Sequence, residues 1–329
     1  MINFGVLGAG AIAEKFVSDL KMVPQAKCVA AYGRNLMRVT DFCTRHQVDM
    51  IYDDLDAFLN DPGIDVVYVA TPHSLHAEGA VLALQAGKHV ICEKPFAMNK
   101  AEAEAVFRLA QSKGLFIMEA LWTLFLPSIN RALKWIEAGE IGEIKAIEAN
   151  FGFVGNNDPN GRLLNPALGG GALLDVGIYP VLISNRLMNG VPKQIRACAK
   201  MTDTHVDGTT SMILTYENGV MATLNASIET QMVNSLRVYG ERGYVELPSF
   251  WMADEAYCHL DAKTLSFKAD PTENQQQGYH HEASALCEDL ISMKTQNDKV
   301  PHQFTLNLME TLDRIRKEIG LVYQMDMKA

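Results

Sequence analysis

Two short stretches carry residues whose types and spacing suit proton and hydride chemistry. The first is Glu93-Lys94-Pro95, which follows the apolar run His89-Val90-Ile91-Cys92. A lysine emerging from the end of a buried strand is poorly explained as plain surface, and position alone points to a catalytic role. The second is Asp175 with Tyr179, four residues apart in Ala172-Leu173-Leu174-Asp175-Val176-Gly177-Ile178-Tyr179-Pro180, after Gly169-Gly170-Gly171. On a helix that spacing puts both on one face. Leu174, Ile178 and Leu182 form an apolar stripe beside them, and a carboxylate buried there needs a reason. Spacing leaves two readings open. Either the pair faces a substrate, or Asp175 bonds to the glycine loop and Tyr179 is a core aromatic.

The elements that must position these residues begin at the N-terminus. Apolar residues Phe4 to Leu7 run into Gly8-x-Gly10-x-x-Ala13, and an amphipathic pattern follows through Phe16 and Leu20. This strand–turn–helix is the dinucleotide fingerprint with alanine in its third place. Gly8 permits the sharp turn, Gly10 lets a pyrophosphate approach the backbone, and Ala13 allows close helix–strand packing. The N–H groups of Ala11, Ile12 and Ala13 then face the phosphates. Lys27 to Tyr32 reads as the second strand, ending in Gly33-Arg34-Asn35 with Arg38 one turn on. No acid stands there to hold the ribose hydroxyls, and a guanidinium can clamp a 2′-phosphate. Arg34, with Asn35 and Arg38, therefore predicts NADP(H) in preference to NAD(H).

Strands and helices keep alternating to Met118, which predicts a doubly wound parallel sheet with ligands outside the carboxyl ends of its strands. Thr71, Pro72, His73, His76, Glu93 and Lys94 lie at that edge as candidate cofactor contacts. The expected boundary gives a nucleotide-binding domain over 1–121 and a substrate-binding α+β domain over 122–329. Beyond residue 140 the period changes to long alternating strands: 145–153, 195–201, 209–217, 220–229 and 236–239. Asn218-Gly219 signals a two-residue hairpin. These predict a large, mostly antiparallel sheet covered by helices on one face. In 220–228, Ala222, Leu224, Ala226 and Ile228 make the apolar face, while Met221, Thr223, Asn225 and Ser227 make a mixed one. Trp122, Phe250, Trp251 and Tyr279 are candidates for an aromatic pocket wall, each with a core role as the alternative. The helices expected over 281–293 and 304–319 read as packing.

The totals exclude several classes. The 329 residues are too many for one ordinary core, and their net charge of -10 argues against nucleic-acid or anionic-membrane partners. No uninterrupted apolar run reaches bilayer length, and the first strand leaves no room for a signal peptide. The six cysteines are scattered without a C-x-x-C pair, the pattern of a reduced, cytoplasmic protein. His280-His281 suggests no metal site, because adjacent helical residues point to different sides and no third ligand joins them.

The Gly-x-Gly-x-x-Ala loop, the Thr71-Pro72 strand end and Glu93-Lys94-Pro95 together resemble the glucose–fructose oxidoreductase / inositol dehydrogenase (Gfo/Idh/MocA) family. The resemblance covers the whole chain. It implies that Lys94 contacts substrate and nicotinamide ribose, that the Lys94–Pro95 bond is cis, and that the open sheet face pairs subunits as a homodimer or a dimer of dimers. It also resolves the second stretch, since Asp-x-x-x-Tyr after a Gly-Gly loop matches the family's second catalytic signature. Met118 to Thr123, Gly170 to Tyr179, Pro248 to Trp251 and Ile315 to Tyr323 are similar to the family's dimeric dihydrodiol dehydrogenase branch, whose members also act as NADP-dependent D-xylose 1-dehydrogenases. Leu124 departs from that branch, which commonly has arginine in Trp-Thr-Arg-Phe, so the exact sugar or diol is not carried over. The resulting expectation is a hydride transfer between NADP(H) and a small polyol, aldose or cyclic diol. Tyr179 is the acid/base, Lys94 its cation, and Asp175 the acceptor for a second hydroxyl. The alternatives are a catalytically idle NADP sensor and an oxidoreductase of another substrate class, such as a nucleotide sugar.

Overall fold

The computed structural model describes residues 1–270 and 278–327. It divides into two compact units, Met1–Trp122 with Gln275–Thr305, and Thr123–Asn274 with Leu306–Ala329.

The first unit alternates strand and helix: β1 (Ile2–Leu7), α1 (Ala11–Leu20), β2 (Ala26–Tyr32), α2 (Leu36–His46), β3 (Met50–Tyr52), α3 (Leu55–Leu59), β4 (Val66–Val69), α4 (His76–Gln85), β5 (His89–Cys92), α5 (Lys100–Lys113) and β6 (Ile117–Glu119). The six strands lie in the order β3-β2-β1-β4-β5-β6, all parallel, the expected doubly wound sheet. One register row, Tyr32–Leu7–Val69–Cys92–Glu119, crosses the sheet at its carboxyl edge. Every candidate residue of this unit's strand ends lies at or just past that row. β4, and β5 from Val90 to Cys92, are apolar and buried, as strands covered on both faces must be. Phe16 of α1 stacks on Tyr68 of β4, ring centroids 3.9 Å apart.

The second unit contains α6 (Pro127–Glu137), β7 (Ile144–Gly152), α7 (Ile178–Met188), β8 (Gln194–Met201), β9 (Asp207–Thr215), β10 (Met221–Ser227), β11 (Ser235–Gly240), β12 (Gly243–Pro248), β13 (Glu255–Leu260) and β14 (Lys263–Lys268). Its eight-stranded sheet runs β14-β13-β12-β11-β7-β10-β9-β8. Every neighbouring pair is antiparallel except β7 with β10. Ala222, Leu224 and Ala226 are buried, as their alternation requires, and α6 and α7 pack on the sheet. On the opposite face of the sheet Ile213 and Met221 are exposed.

Four features differ from the sequence reading. The hairpin between β9 and β10 has a three-residue loop, Glu217 to Gly219. Tyr216 N–H donates to Val220 O, Gly219 N–H donates to Tyr216 O, and Gly219 takes φ +84°. A type I turn closed by a left-handed glycine uses Asn-Gly one position later than a two-residue turn does. β3 and β12 to β14 were not foreseen; β3 is three residues at an edge, and β14 is polar and largely exposed. The second domain is not one continuous span over 122–329. The chain returns to the first unit with α8 (Tyr279–Ile291), whose buried face packs on α1 and β2. The division then falls within α9 (His302–Ile319). Finally, helical residues Pro166–Met188 are long and apolar enough to cross a membrane, but they are mostly buried in the protein. Asp175 interrupts that run in the sequence.

Candidate functional site

In the first unit, Gly8 takes φ +104°, and a Cβ there would lie 2.8 Å from Ala70 O. Gly10 is the N-cap of α1, with no side-chain cap, and a Cβ placed on it would meet nothing within 4 Å. Ala13 is fully buried. The turn is therefore tight against the β4 end while its outer side lies open, beside helix N–H groups that no side chain caps. Thr71 Oγ1, at the same edge, is buried without a hydrogen-bond partner. An uncapped helix start and an orphaned hydroxyl fit a dinucleotide pyrophosphate. Arg34 and Arg38 are exposed at the end of β2. Asn35 has a structural task, its Oδ1 accepting the Arg38 backbone N–H (3.0 Å) as the α2 cap.

His76 was expected to touch the cofactor. It is almost fully buried, with Nδ1 2.7 Å from Pro95 O and Nε2 2.8 Å from Thr71 O. Burial pushes its pKa down, the two carbonyls oppose that, and the Lys94 ammonium adds to the lowering. Both nitrogens thus face backbone carbonyls of the loops after β4 and β5, and the single N–H of the neutral ring donates to one of them. His73 lies edge-on to it, ring centroids 5.7 Å apart.

Lys94 is half-buried, and its bond to Pro95 is cis, as the family resemblance implied. Glu93 accepts from Tyr68 O–H (2.6 Å) and from Lys94 N–H (3.2 Å). A charged acceptor makes such bonds worth about 1.5–3 kcal/mol each. Three further buried acids were missed by the sequence. Glu119 accepts from Phe96 N–H (2.9 Å) and from Thr305 O–H (2.8 Å). Burial still pushes its pKa up to about 7. A rise of that size from 4.5 is roughly 3 kcal/mol, so desolvation outweighs both hydrogen bonds. Glu282 of α8 is fully buried with neither oxygen hydrogen-bonded. Burial first, then Glu93 and Asp19, hold its carboxyl well above the usual range. Asp19, also fully buried, accepts from Tyr279 N–H (2.8 Å). Trp122 and Tyr279 stack on each other, centroids 4.6 Å apart. The His280 and His281 rings, expected to diverge, are only 4.0 Å apart. Among the described residues no group of three or more His, Cys, Asp or Glu is gathered to hold a metal.

In the second unit, the stretch bearing Asp175 is a π-helical turn, Leu173–Gly177, that leads into α7. Such turns insert one residue into a helix and recur at functional sites. The turn lies on β10, where a Cβ on Gly177 would come within 3.1 Å of Ala226. Asp207 at the start of β9 accepts from Leu173 N–H (2.7 Å) and Thr210 O–H (2.6 Å), and burial pushes it up to about 6. Asp207 thus holds the first N–H of the π-helical turn. Asp175 is buried and pairs with Arg162, Nη1 to Oδ1 at 2.5 Å. Sequence reasoning missed Arg162, which lies in a stretch without periodicity. Leu124, the departure noted above, is buried. Tyr179 is buried, tilted against Phe151 (5.5 Å), which stacks on Trp251 (4.0 Å). Thr123 O–H holds the Trp251 carbonyl at 2.8 Å. Phe250 is core. The second unit thus gathers Asp175, Arg162, Tyr179 and Trp251, and the first gathers Lys94, Glu93, His76 and Thr71.

Comparison with known proteins matches both units. Residues 2–121 match the model described as "Oxidoreductase family, NAD-binding Rossmann fold", and residues 129–246 match the GFO/IDH/MocA C-terminal domain. The trans-1,2-dihydrobenzene-1,2-diol dehydrogenase of Sus scrofa is 32% identical, covering 99% of each chain. A 3-ketoreductase from Actinomadura kijaniata, solved with TDP-benzene and NADP, is similar at TM-score 0.85 and 25% identity, covering 97% of this chain and 98% of that one. Levoglucosan dehydrogenase, solved with NADH and levoglucosan, shares the fold at TM-score 0.86 and 20% identity, covering 97% of each chain.

Proposed function

Because the chain belongs to the GFO/IDH/MocA oxidoreductase family, we propose that it is an NADP(H)-dependent dehydrogenase acting on a hydroxyl of a small polyol, aldose or cyclic diol. The observation that carries this reading is the π-helical turn, which sets a buried, arginine-paired carboxylate four residues from a buried tyrosine. A nicotinamide, when bound, supplies the hydride acceptor. Tyr179 takes the proton of the substrate hydroxyl. An ordinary phenol, near pKa ~10, needs a cation to do so at neutral pH, and Lys94 is assigned that task. Asp175 accepts a hydrogen bond from a neighbouring hydroxyl, and Arg162 balances its charge. Trp251 offers the substrate an aromatic wall beside Phe151. Gly8, Gly10, Ala11, Ile12 and Ala13 hold the pyrophosphate, with Thr71 beside it.

Solved structures with this fold carry NADP or NADH, so the cofactor preference is argued from this chain's own residues. Two exposed guanidiniums, Arg34 just past β2 and Arg38 in the first turn of α2, favour a 2′-phosphate. Arg34→Ala is expected to raise KM for NADP about tenfold or more while leaving KM for NAD nearly unchanged. Equal KM values for the two cofactors in the unaltered protein would refute the preference. The function itself is tested by screening NADP reduction against aldoses, inositols and trans-diols. No turnover with any of them would favour the nucleotide-sugar or idle alternatives.

The exposed face of the eight-stranded sheet, with Ile213 and Met221 among polar neighbours, is assigned to a second copy of the chain. A monomer mass in sedimentation equilibrium at working concentration would refute that. A cytoplasmic location is supported by the six free thiols, five of them buried.

A further inference from the structure

We propose that Glu119 is a positioning residue for Lys94, clamping the backbone beyond that lysine and holding a negative charge toward its ammonium. This rests on the reading of Lys94 as catalytic.

Glu119 ends β6 directly beside Cys92, which ends β5. The Glu93-Lys94-Pro95-Phe96 turn leaves from that neighbour, so the carboxylate sits one strand away. One oxygen takes Phe96 N–H at 2.9 Å, and the other takes Thr305 O–H at 2.8 Å, in the first turn of α9. On the other side of the turn, His76 Nδ1 meets Pro95 O at 2.7 Å. Cys92 S–H donates to Phe96 O at 3.7 Å. Glu93 holds Lys94 N–H and is itself held by Tyr68 O–H. The polar backbone on both sides of the lysine is therefore tied down by buried groups.

Hydrogen bonding alone does not explain a carboxylate at this position. A glutamine would also accept from Phe96 N–H, and its amide would donate to Thr305 Oγ1. It would avoid the cost of burying a charge. What the carboxylate adds is its negative charge, one strand from the turn that carries Lys94 and bonded to the backbone two residues past it. Cys92 of β5 and Glu93, just past its end, are further titratable groups near Glu119. His302, at the start of α9, instead meets Ile117 O at 3.1 Å. Protonation leaves Phe96 N–H bonded and needs only the Thr305 hydroxyl to turn around. It removes the charge without breaking the clamp, and Glu119→Gln reproduces that state.

The experiment compares the full-length protein with Glu119→Gln and Glu119→Asp. The pKa of Lys94 is read from the pH dependence of acetic anhydride labelling by mass spectrometry, without substrate. Loss of an opposing charge lowers an ammonium pKa by roughly one unit. Glu119→Gln is expected to show that fall, and Glu119→Asp to recover part of it. With a turned-over substrate, the glutamine variant should lose roughly 10- to 100-fold in kcat at pH 8, as misaimed groups do. Its KM for NADP should stay within about threefold, a split that general loosening of the fold would not produce. An unchanged Lys94 pKa in the glutamine variant overturns the proposal. Full turnover by Lys94→Met overturns the catalytic reading of Lys94 instead, whatever Glu119 does.

Discussion

Replacing Lys94 by methionine is expected to abolish most turnover, by roughly 10²- to 10⁴-fold in kcat, the range for losing a charge-stabilising or proton-handling group. Methionine keeps the length and the apolar stem of the side chain and removes only the cation. The backbone of the turn is held by Glu93, His76 and Glu119, none of which contacts the Lys94 side chain in those bonds. The fold should therefore survive, and thermal unfolding should change little. The informative comparison is kcat against NADP binding followed by nicotinamide fluorescence. A large fall in kcat with NADP affinity retained within about tenfold matches a group acting on the reacting oxygen. Turnover within about threefold of the unaltered protein would remove Lys94 from the mechanism.

Tyr179→Phe is expected to cost roughly 10²–10⁴ in kcat, again with NADP binding kept, because the hydroxyl is the proton carrier in this reading. Phenylalanine preserves the ring packed at 5.5 Å from Phe151, so no cavity opens. The pH profile separates chemistry from structure. In the unaltered enzyme, kcat for alcohol oxidation should rise with pH as the phenol loses its proton. In the variant that rise should vanish, leaving a flat residual rate. Normal turnover by the phenylalanine variant would rule out the acid/base assignment.

Much of this architecture is readable before any coordinates, because periodicity carries it. The strand–glycine–helix at residues 4–20 and the apolar runs at 66–69 and 89–92 switch period cleanly, and each became the element expected. What stayed hidden follows from physics that a linear pattern does not encode. An amphipathic pattern over residues 281–293 says that a helix packs, but not that it packs on α1. Edge strands such as β14 alternate weakly because neither face is deeply buried. The surroundings of His76 could not be seen, since only geometry shows its ring set between two backbone carbonyls. Arg162 reaches Asp175 from thirteen residues upstream through irregular chain, and no spacing rule flags it. Glu119 looked like the polar end of a strand. Its environment emerges only when the register places it beside Cys92 and α9 brings Thr305.

The return of the chain to its first unit also bears on biosynthesis. A ribosome synthesises all eight strands of the second sheet before it makes α8, whose buried face belongs against α1. Until then α1 has a surface, including the Asp19 carboxylate, with its later neighbour still unsynthesised. The nucleotide-holding half of the molecule, although begun first, is thus completed only after every strand of the second sheet has been made. Domains usually mature in the order they are translated, and here the unit begun first must wait for a segment that follows the other unit's sheet.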